Sequence, residues 1–294
     1  MKNIATAAVT IPILLMSLAA CGAGNTAAPA NSAPAATQTV SPSASAAQTP
    51  SASPSASAAA SPSASPDPSP SPDPTEAPVE LTYRMNKNYD IVPIDKETTN
   101  SKVVLLTFDD GPKAEETLKP ILDTLDKHHA KAIFFVNGYR VKAHPELLQE
   151  IDERGHTVGN HSWDHIMLGK EKPETIREQI EKVQNIVEEV IGKKPVFFRP
   201  PNASGNEYTH SIAKENGLLY MTWSDGSLDW EMTGDKIKDK TAAIIKNVND
   251  LLHPGSNILM HELPWTGEAL DALLTDLEQK GYSFVDPEAI DTEA

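Results

Sequence analysis

Two carboxylates stand side by side in Thr107-Phe108-Asp109-Asp110-Gly111-Pro112, and two imidazoles lie four residues apart in Asn160-His161-Ser162-Trp163-Asp164-His165. At the end of a strand successive side chains diverge. One carboxylate can therefore bind a cation while the other faces a substrate, and the cation offsets their repulsion and keeps both ionised. Histidines at this spacing place both rings on one side of a helical turn, a geometry that suits zinc. Each feature also has a plain reading. Asp-Gly and Gly-Pro punctuate ordinary turns, and a histidine pair can be merely solvated. Arg199, between Phe198 and Pro200, ends an apolar stretch and must find an anion there, with Asp109 the natural candidate. His261 follows Ile258-Leu259-Met260 and is either a satisfied core histidine or a proton donor.

These residues need elements to carry them, and the pattern supplies a repeat of strands and helices. Short β-branched or aromatic runs occur at Val103–Phe108, Ala132–Val136, Thr157–Val158, Val196–Phe198, Leu219–Trp223, Asn257–Met260 and Ser283–Val285. Between them lie helical periodicities, clearest over 174–191, where Ile176, Ile180, Val183, Val187 and Val190 recur at three- or four-residue steps. Further helices are expected over 115–128, 145–154, 208–216, 235–252 and 266–280, with Gly155, Gly217 and Gly281 as stops. Seven strands with intervening helices predict an α/β sheet or barrel. The acidic pair, the histidine pair, Arg199-Pro200-Pro201-Asn202, Asp225 with Asp229-Trp230, and His261 all follow strand ends. In a barrel that is the face where active sites assemble. His128, His129, His144, His253 and the other histidines outside the motifs read as solvated.

The first 80 residues differ in kind. Lys2, the apolar run Ile4–Leu18 and the small residues before Cys21 read as an export signal over residues 1–21. The run falls short of the roughly 20 residues that a spanning helix needs. Cys21 is the single cysteine, which excludes an internal disulfide or a cysteine metal cluster. Leu18-Ala19-Ala20-Cys21 resembles the lipobox of bacterial lipoproteins, which implies lipidation at Cys21 and anchoring to the outer face of the cell membrane. The other reading is an ordinary signal peptide with an incidental cysteine. Residues 22–80 are rich in Ala, Ser and Pro and lack the apolar surface to offset the entropy of ordering. They read as a disordered tether to a folded domain over 81–294. The net charge of −16 argues against a nucleic-acid partner.

Taken together and in order, the five stretches resemble the polysaccharide deacetylases, the NodB-homology or carbohydrate esterase family 4 domain, over roughly Ser101 to Asp286. The resemblance implies a distorted (β/α) barrel and metal-dependent hydrolysis of acetyl groups on a polysaccharide. It implies that Asp110, His161 and His165 hold one divalent metal, zinc first, with cobalt, nickel or manganese as alternatives. Asp109 matches the general base, and Arg199 the residue that holds it anionic. His261 matches the acid that protonates the departing amine, and Asp229 the carboxylate that keeps it charged. The backbone N–H of Asn202 matches an oxyanion donor, and Trp230 and Leu259 match apolar walls around the acetyl methyl.

Two positions depart from the family pattern. Asn202 stands where tyrosine is common, and Gly226 where an aspartate often occurs. The implied substrate is an N-acetylated cell-surface polysaccharide, peptidoglycan above all, or chitin-like oligomers, acted on by a monomer outside the cytoplasm. The alternatives are a sugar-binding pseudoenzyme, an O-acetyl xylan esterase and an amidase of a small cyclic amide.

Overall fold

The computed structural model describes residues 79–234 and 236–293. The export signal, Cys21 and all but the last two residues of the expected tether lie outside them. The described chain runs β1 (Tyr83–Met85), β2 (Ile91–Pro93), β3 (Val103–Gly111), α1 (Glu115–Lys127), β4 (Ala132–Val136), α2 (Gly138–Ala143), α3 (Pro145–Glu153), β5 (Thr157–Asn160) and α4 (Pro173–Ile191). It continues through β6 (Phe197–Phe198), α5 (Glu207–Glu215), β7 (Leu219–Tyr220), β8 (Asp225–Gly226), α6 (Lys240–Leu251), β9 (Ser256–His261), α7 (Pro264–Gln279), β10 (Ser283–Phe284) and β11 (Ile290–Asp291).

Seven strands form a curled half-barrel in the order β7-β6-β5-β4-β3-β9-β8, all pairs parallel, with β10 paired beside the start of β3. This is the expected architecture, with one exchange of strands. β8 was not anticipated, because two residues carry no period of their own and are held by register, Asp225 to Ile258 and Gly226 to Leu259. The run expected over Leu219–Trp223 is paired only at Leu219–Tyr220. A small second sheet, β11-β1-β2, was likewise not anticipated. Among the described residues no helix is long and apolar enough to cross a membrane.

Alternation along the central strands explains how the site is placed. Val104, Leu106 and Phe108 of β3 join Ala132, Phe134 and Val136 of β4 and Ile258 and Met260 of β9 in the layer beneath the helices. Val103 and Leu105 point the other way, with Ile133 and Phe135, into the concave interior. Continuing the period, Thr107 and Asp109 belong to the interior face, as do Asn257, Leu259 and His261 on β9. The apolar interior thus gives way to polar side chains toward the C-terminal ends of its strands. Each large apolar side chain buried below contributes roughly 1.5–3 kcal/mol, which makes the platform stiff.

Local signals set the helices. Proline occupies the first turn of α3, α4 and α7, and Gly192, at φ +74°, ends α4. Helix α6 starts at Lys240, later than expected, capped by the Asp239 side chain accepting from the Ala242 N–H. Two expectations for histidines fail. His161 and His165 do not lie on a helical turn; they sit in an irregular loop after β5, with Ser162 at φ +66° and His165 at φ +55°. His156, read as solvated, is 2% exposed beneath Phe134. His128 is also enclosed and contacts Asp271 and Glu278, and His253 contacts Asp90.

Candidate active site

A cavity of about 440 Å³ opens at the C-terminal ends of the strands. Asp109, Asp110, His161, His165, Asn202, Trp230 and His261 all line it. The two carboxylates are turned apart by a bulge: the β3–β4 register shifts between Asp109 and Gly111, and Asp110 takes φ +68°. Asp109 therefore stays on the interior face, whereas Asp110 swings toward the histidine loop.

Arg199 lies across the interior face and is fully buried. Its Nη1 donates to Asp109 Oδ1 and Thr107 Oγ1, each at 2.8 Å, and its Nη2 to Asn257 Oδ1 at 3.1 Å and the Thr222 carbonyl at 2.8 Å. The guanidinium also stacks 4.3 Å from the Phe135 ring. A buried arginine with one ionised partner and three neutral acceptors is stable only while that partner stays charged. Asp109 is thus fixed in place against the guanidinium.

His161 Nδ1 lies 2.7 Å from the Arg199 carbonyl oxygen. A carbonyl can only accept, so Nδ1 carries the proton and the Nε2 lone pair faces the carboxylates. That lone pair is 3.6 Å from Asp110 Oδ1, and His165 Nε2 is 3.1 Å from the same oxygen. Neither contact has hydrogen-bond alignment, and Asp110 Oδ1 is buried with no hydrogen-bond partner. One ligand atom from each of the three residues lies within 4.8 Å of the others. Ligands about 2 Å from a tetrahedral ion stand roughly 3.3 Å apart, so the cluster fits a divalent metal with modest closure. Burial alone would raise the Asp110 carboxyl. The His165 contact and the neighbouring imidazoles, His261 among them, outweigh it and hold the group well below the usual carboxylate range. Burial pushes His161 down, toward the neutral form a metal requires.

The loop that carries the histidines is pinned by buried polar side chains not singled out from the sequence. Asn137 Nδ2 donates to the His161 carbonyl, Asn160 Oδ1 accepts from the Ser162 N–H, and Gln179 Oε1 accepts from the Asp164 N–H. Gln184 Oε1 in turn accepts from Asn160 Nδ2. The signal was available: Gln179 and Gln184 fall on the apolar stripe of α4, where a polar side chain must have a partner.

On the opposite side His261 Nδ1 is 2.8 Å from Asp229 Oδ1, while Asp229 Oδ2 accepts from the His261 N–H and from Thr266 Oγ1 at 2.7 Å each. Burial would lower His261, but the Asp229 contact prevails and its pKa is raised. Glu262, the next residue, reaches the other rim. Its carboxylate accepts from the backbone N–H groups of Lys113 and Ala114 and from Thr117 Oγ1, at 3.0, 3.2 and 2.6 Å. It supplies the start of α1 with the cap that Ala114 cannot, and ties the loop after the carboxylates to the strand of His261.

Two residues are placed differently from the rest. Leu259 shares the interior face of β9 but is 3% exposed and lies below the cavity, which Leu263 lines instead. Asp225 is fully buried and its carboxyl is pushed up to about 7 by burial. A Cβ on Gly226 would face Trp230 and Trp223, so alternation turns Asp225 away from the cleft, where no acid fills the place of the absent aspartate. The cavity also gathers Lys113, Trp223, Thr233 and Trp265, which the motifs do not include.

Comparison with known proteins decides the family. Residues 96–221 match the family described as polysaccharide deacetylase. Over 212 residues the chain is 36% identical to the peptidoglycan-N-acetylglucosamine deacetylase PgdA of Listeria monocytogenes, covering 70% of this chain and 43% of that protein. It is 34% identical to the peptidoglycan-N-acetylmuramic acid deacetylase PdaA of Bacillus subtilis, over 63% of this chain and 70% of that protein. The chain belongs to the polysaccharide deacetylase family. It spans less than half the length of the Listeria member. Among solved structures of the family, a pseudoenzyme from Bacillus anthracis is 31% identical, with a TM-score of 0.59 over 63% of each chain. A mutant of that pseudoenzyme has restored enzymatic activity.

Proposed function

We propose that this chain removes N-acetyl groups from amino-sugar residues of bacterial peptidoglycan, outside the cytoplasm and by metal-dependent hydrolysis. The observation that carries this reading is the convergence of three ligand atoms, Asp110 Oδ1 and the Nε2 atoms of His161 and His165, on one point beside Asp109. The His161 Nε2 lone pair and the unpartnered Asp110 Oδ1 both face that point, which suits a cation. A divalent ion held there, zinc or one of its neighbours, would supply the Lewis acidity that polarises an acetamide carbonyl and acidifies water.

The chain's own groups do the remaining work in this reading. Asp109, aimed by Arg199, takes the proton from the attacking water. The Asn202 backbone N–H, in a left-handed turn at φ +54°, donates to the oxyanion. His261, kept protonated by Asp229, gives its proton to the sugar nitrogen, which otherwise leaves badly. Trp230, edge-on to His261 at a centroid distance of 5.3 Å, walls the acetyl methyl. The relatives' substrates, both peptidoglycan sugars, support the choice of polymer. In the same reading residues 1–21 direct export, Cys21 carries the lipid, and residues 22–80 let the domain over 81–294 reach the wall as a monomer.

The test is acetate release from peptidoglycan, chito-oligosaccharides and acetylated xylan, with and without a chelator. Release from the N-acetylated glycans that stops on chelation supports the reading. Asp109→Asn should retain the metal and lose at least roughly a hundredfold in kcat. Full rate in that variant overturns the assignment of the base. The Bacillus anthracis relative keeps a pseudoenzyme in view, and glycan binding without acetate release would establish it.

A further inference from the structure

The buried carboxylates Asp109 and Asp229 are held in different ways. Asp109 rests on a cation, Arg199. Among the described residues no lysine or arginine lies within 4 Å of Asp229, and the donors around it belong to His261 and Thr266. Its Oδ2 accepts from the His261 backbone N–H and from Thr266 Oγ1, at 2.7 Å each, and its Oδ1 faces His261 Nδ1 at 2.8 Å. Three donors on two oxygens suit a carboxylate, which can only accept, and this arrangement leaves Oδ1 to the imidazole. Nδ1 then carries a proton, and Nε2 is the ring nitrogen left free for the cavity that His261 lines.

Little in the local chain could fix Asp229. It follows β8, which is two residues long, and Leu228, which takes φ +54°, and it opens a single 3₁₀ turn over Asp229–Glu231. The restraint comes from α7 instead. Thr266, the third residue of that helix, is 1% exposed, and its hydroxyl reaches the Asp229 carboxylate. The preceding residue, Trp265, donates from Nε1 to the Asp229 carbonyl at 2.9 Å. Ala269, Leu270, Leu273 and Leu274 continue the face of Thr266 at steps of three, four, seven and eight residues and are fully buried. The hydroxyl thus projects from the packed face of a 16-residue helix, a far stiffer support than the turn that carries Asp229.

We propose that Thr266 is a positioning residue for the proton donor: its hydroxyl sets the rotation of the Asp229 carboxylate so that Oδ1 meets His261 Nδ1, and so aims His261 Nε2 into the cleft. The inference rests on the deacetylase reading and deepens it by naming the group that holds its acid. The chemistry of the donor matters. A neutral hydroxyl fixes the carboxylate without adding positive charge, whereas a cation at Oδ2 would repel the imidazolium and favour its loss of a proton. Without the hydroxyl, Oδ2 keeps only the His261 backbone N–H, and the carboxylate is free to turn about its Cβ–Cγ bond. The imidazole then loses its alignment.

Three variants of the full chain test this. Thr266→Val keeps the shape and removes the donor, Thr266→Ala removes it again in a residue that suits a helix should the valine variant fail to fold, and Thr266→Ser keeps it. In the first two, kcat for acetate release from N-acetylated glycans should fall roughly 10- to 100-fold, the loss that a slightly misplaced group brings, with KM changed less than about twofold. Thr266→Ser should keep at least about half of the wild-type rate, and metal affinity, by chelator competition, should hold in all three. The alkaline limb of the pH profile should move to lower pH in Thr266→Val, because an imidazole that pairs less well with Asp229 empties sooner as pH rises. Full rate in Thr266→Val, equal losses in the valine and serine variants, a parallel loss of metal, or a limb that stays or moves up overturns the inference. A second readout needs no turnover: the low-field Nδ1 proton resonance of His261 in ¹⁵N-histidine-labelled protein, identified by its absence from His261→Gln. It should persist in Thr266→Ser and be lost or moved upfield in Thr266→Val. If the wild type releases no acetate the deacetylase reading fails, and this resonance alone then decides, since an unchanged signal in Thr266→Val means that Thr266 does not aim the pair.

Discussion

His261 and His156 are enclosed imidazoles at opposite ends of the same parallel sheet, and their surroundings push them in opposite directions. His261 ends β9 with the Asp229 carboxylate 2.8 Å from Nδ1, and its pKa is raised although burial alone would lower it. His156 stands just before β5, with neither ring nitrogen hydrogen-bonded and Phe134 5.4 Å away. Burial, reinforced by the charge of Lys131, lowers it to about 4. The residue type and the degree of enclosure are similar. The paired acid makes the difference, so which of the two histidines is favoured in its protonated form is decided by its partner and not by its depth.

The largest test of that contrast makes one histidine resemble the other. Asp229→Asn keeps size and much of the hydrogen bonding but removes the charge, so His261 should lose its upward shift and spend less time protonated. The catalytic rate should fall by about 10² to 10⁴, the usual worth of a general acid. In the residual activity, the alkaline limb of the pH profile should move to lower pH, because a donor with a lower pKa empties sooner as pH rises. An unmoved limb would show that another group supplies the proton.

A smaller effect tests how the proposed metal side of the same end is held. Gly138 opens α2 under the ring of Trp163, between the two loop histidines, and a Cβ there would stand 2.1 Å from the Trp163 ring. Gly138→Ala must displace the indole and with it the loop. Metal affinity, measured by chelator competition, should fall by about 10- to 100-fold, the range seen when supporting groups of a metal site are lost. Unchanged affinity would mean that Asn137, Asn160 and Gln179 alone fix the loop.

The same contrast explains what could be read from residue order. The central strands and long helices announce themselves by periods of two and 3.6, and the motif residues by type. Arg199 is a clear case, since an arginine closing an apolar run leaves few possible partners. Features that arise only on folding were not visible. β8 is two residues recruited by the register of β9, and the bulge at Asp110 and the left-handed backbone at His165 set the direction of side chains whose identity was already plain. Glu262 gave no local sign, because its partners lie some 145 positions away in the chain. His156 was misread for a related reason. A polar residue between a glycine and a strand suggests solvent, yet the packing of β4 against α3 and β5 closes over it.

That misreading leads to the mildest of the expected effects. His156 is neutral in the folded chain down to about pH 4, whereas an unfolded histidine takes up a proton near 6.5. Below 6.5 the unfolded state therefore binds more protons than the native one, and stability must fall as pH falls. The loss is small near neutrality, under about 1 kcal/mol between pH 7 and 6, and grows to roughly 3 kcal/mol by pH 4, where the native histidine begins to protonate as well. His156→Leu should remove this component of the acid sensitivity while leaving acetate release at neutral pH in place, since the residue lies at the far end of the sheet from the cleft. Denaturant titrations of both proteins across pH 7 to 4 measure the difference directly. Parallel curves would mean that His156 finds a partner or a water when charged, and the contrast with His261 would then rest on solvation and not on the absence of an acid.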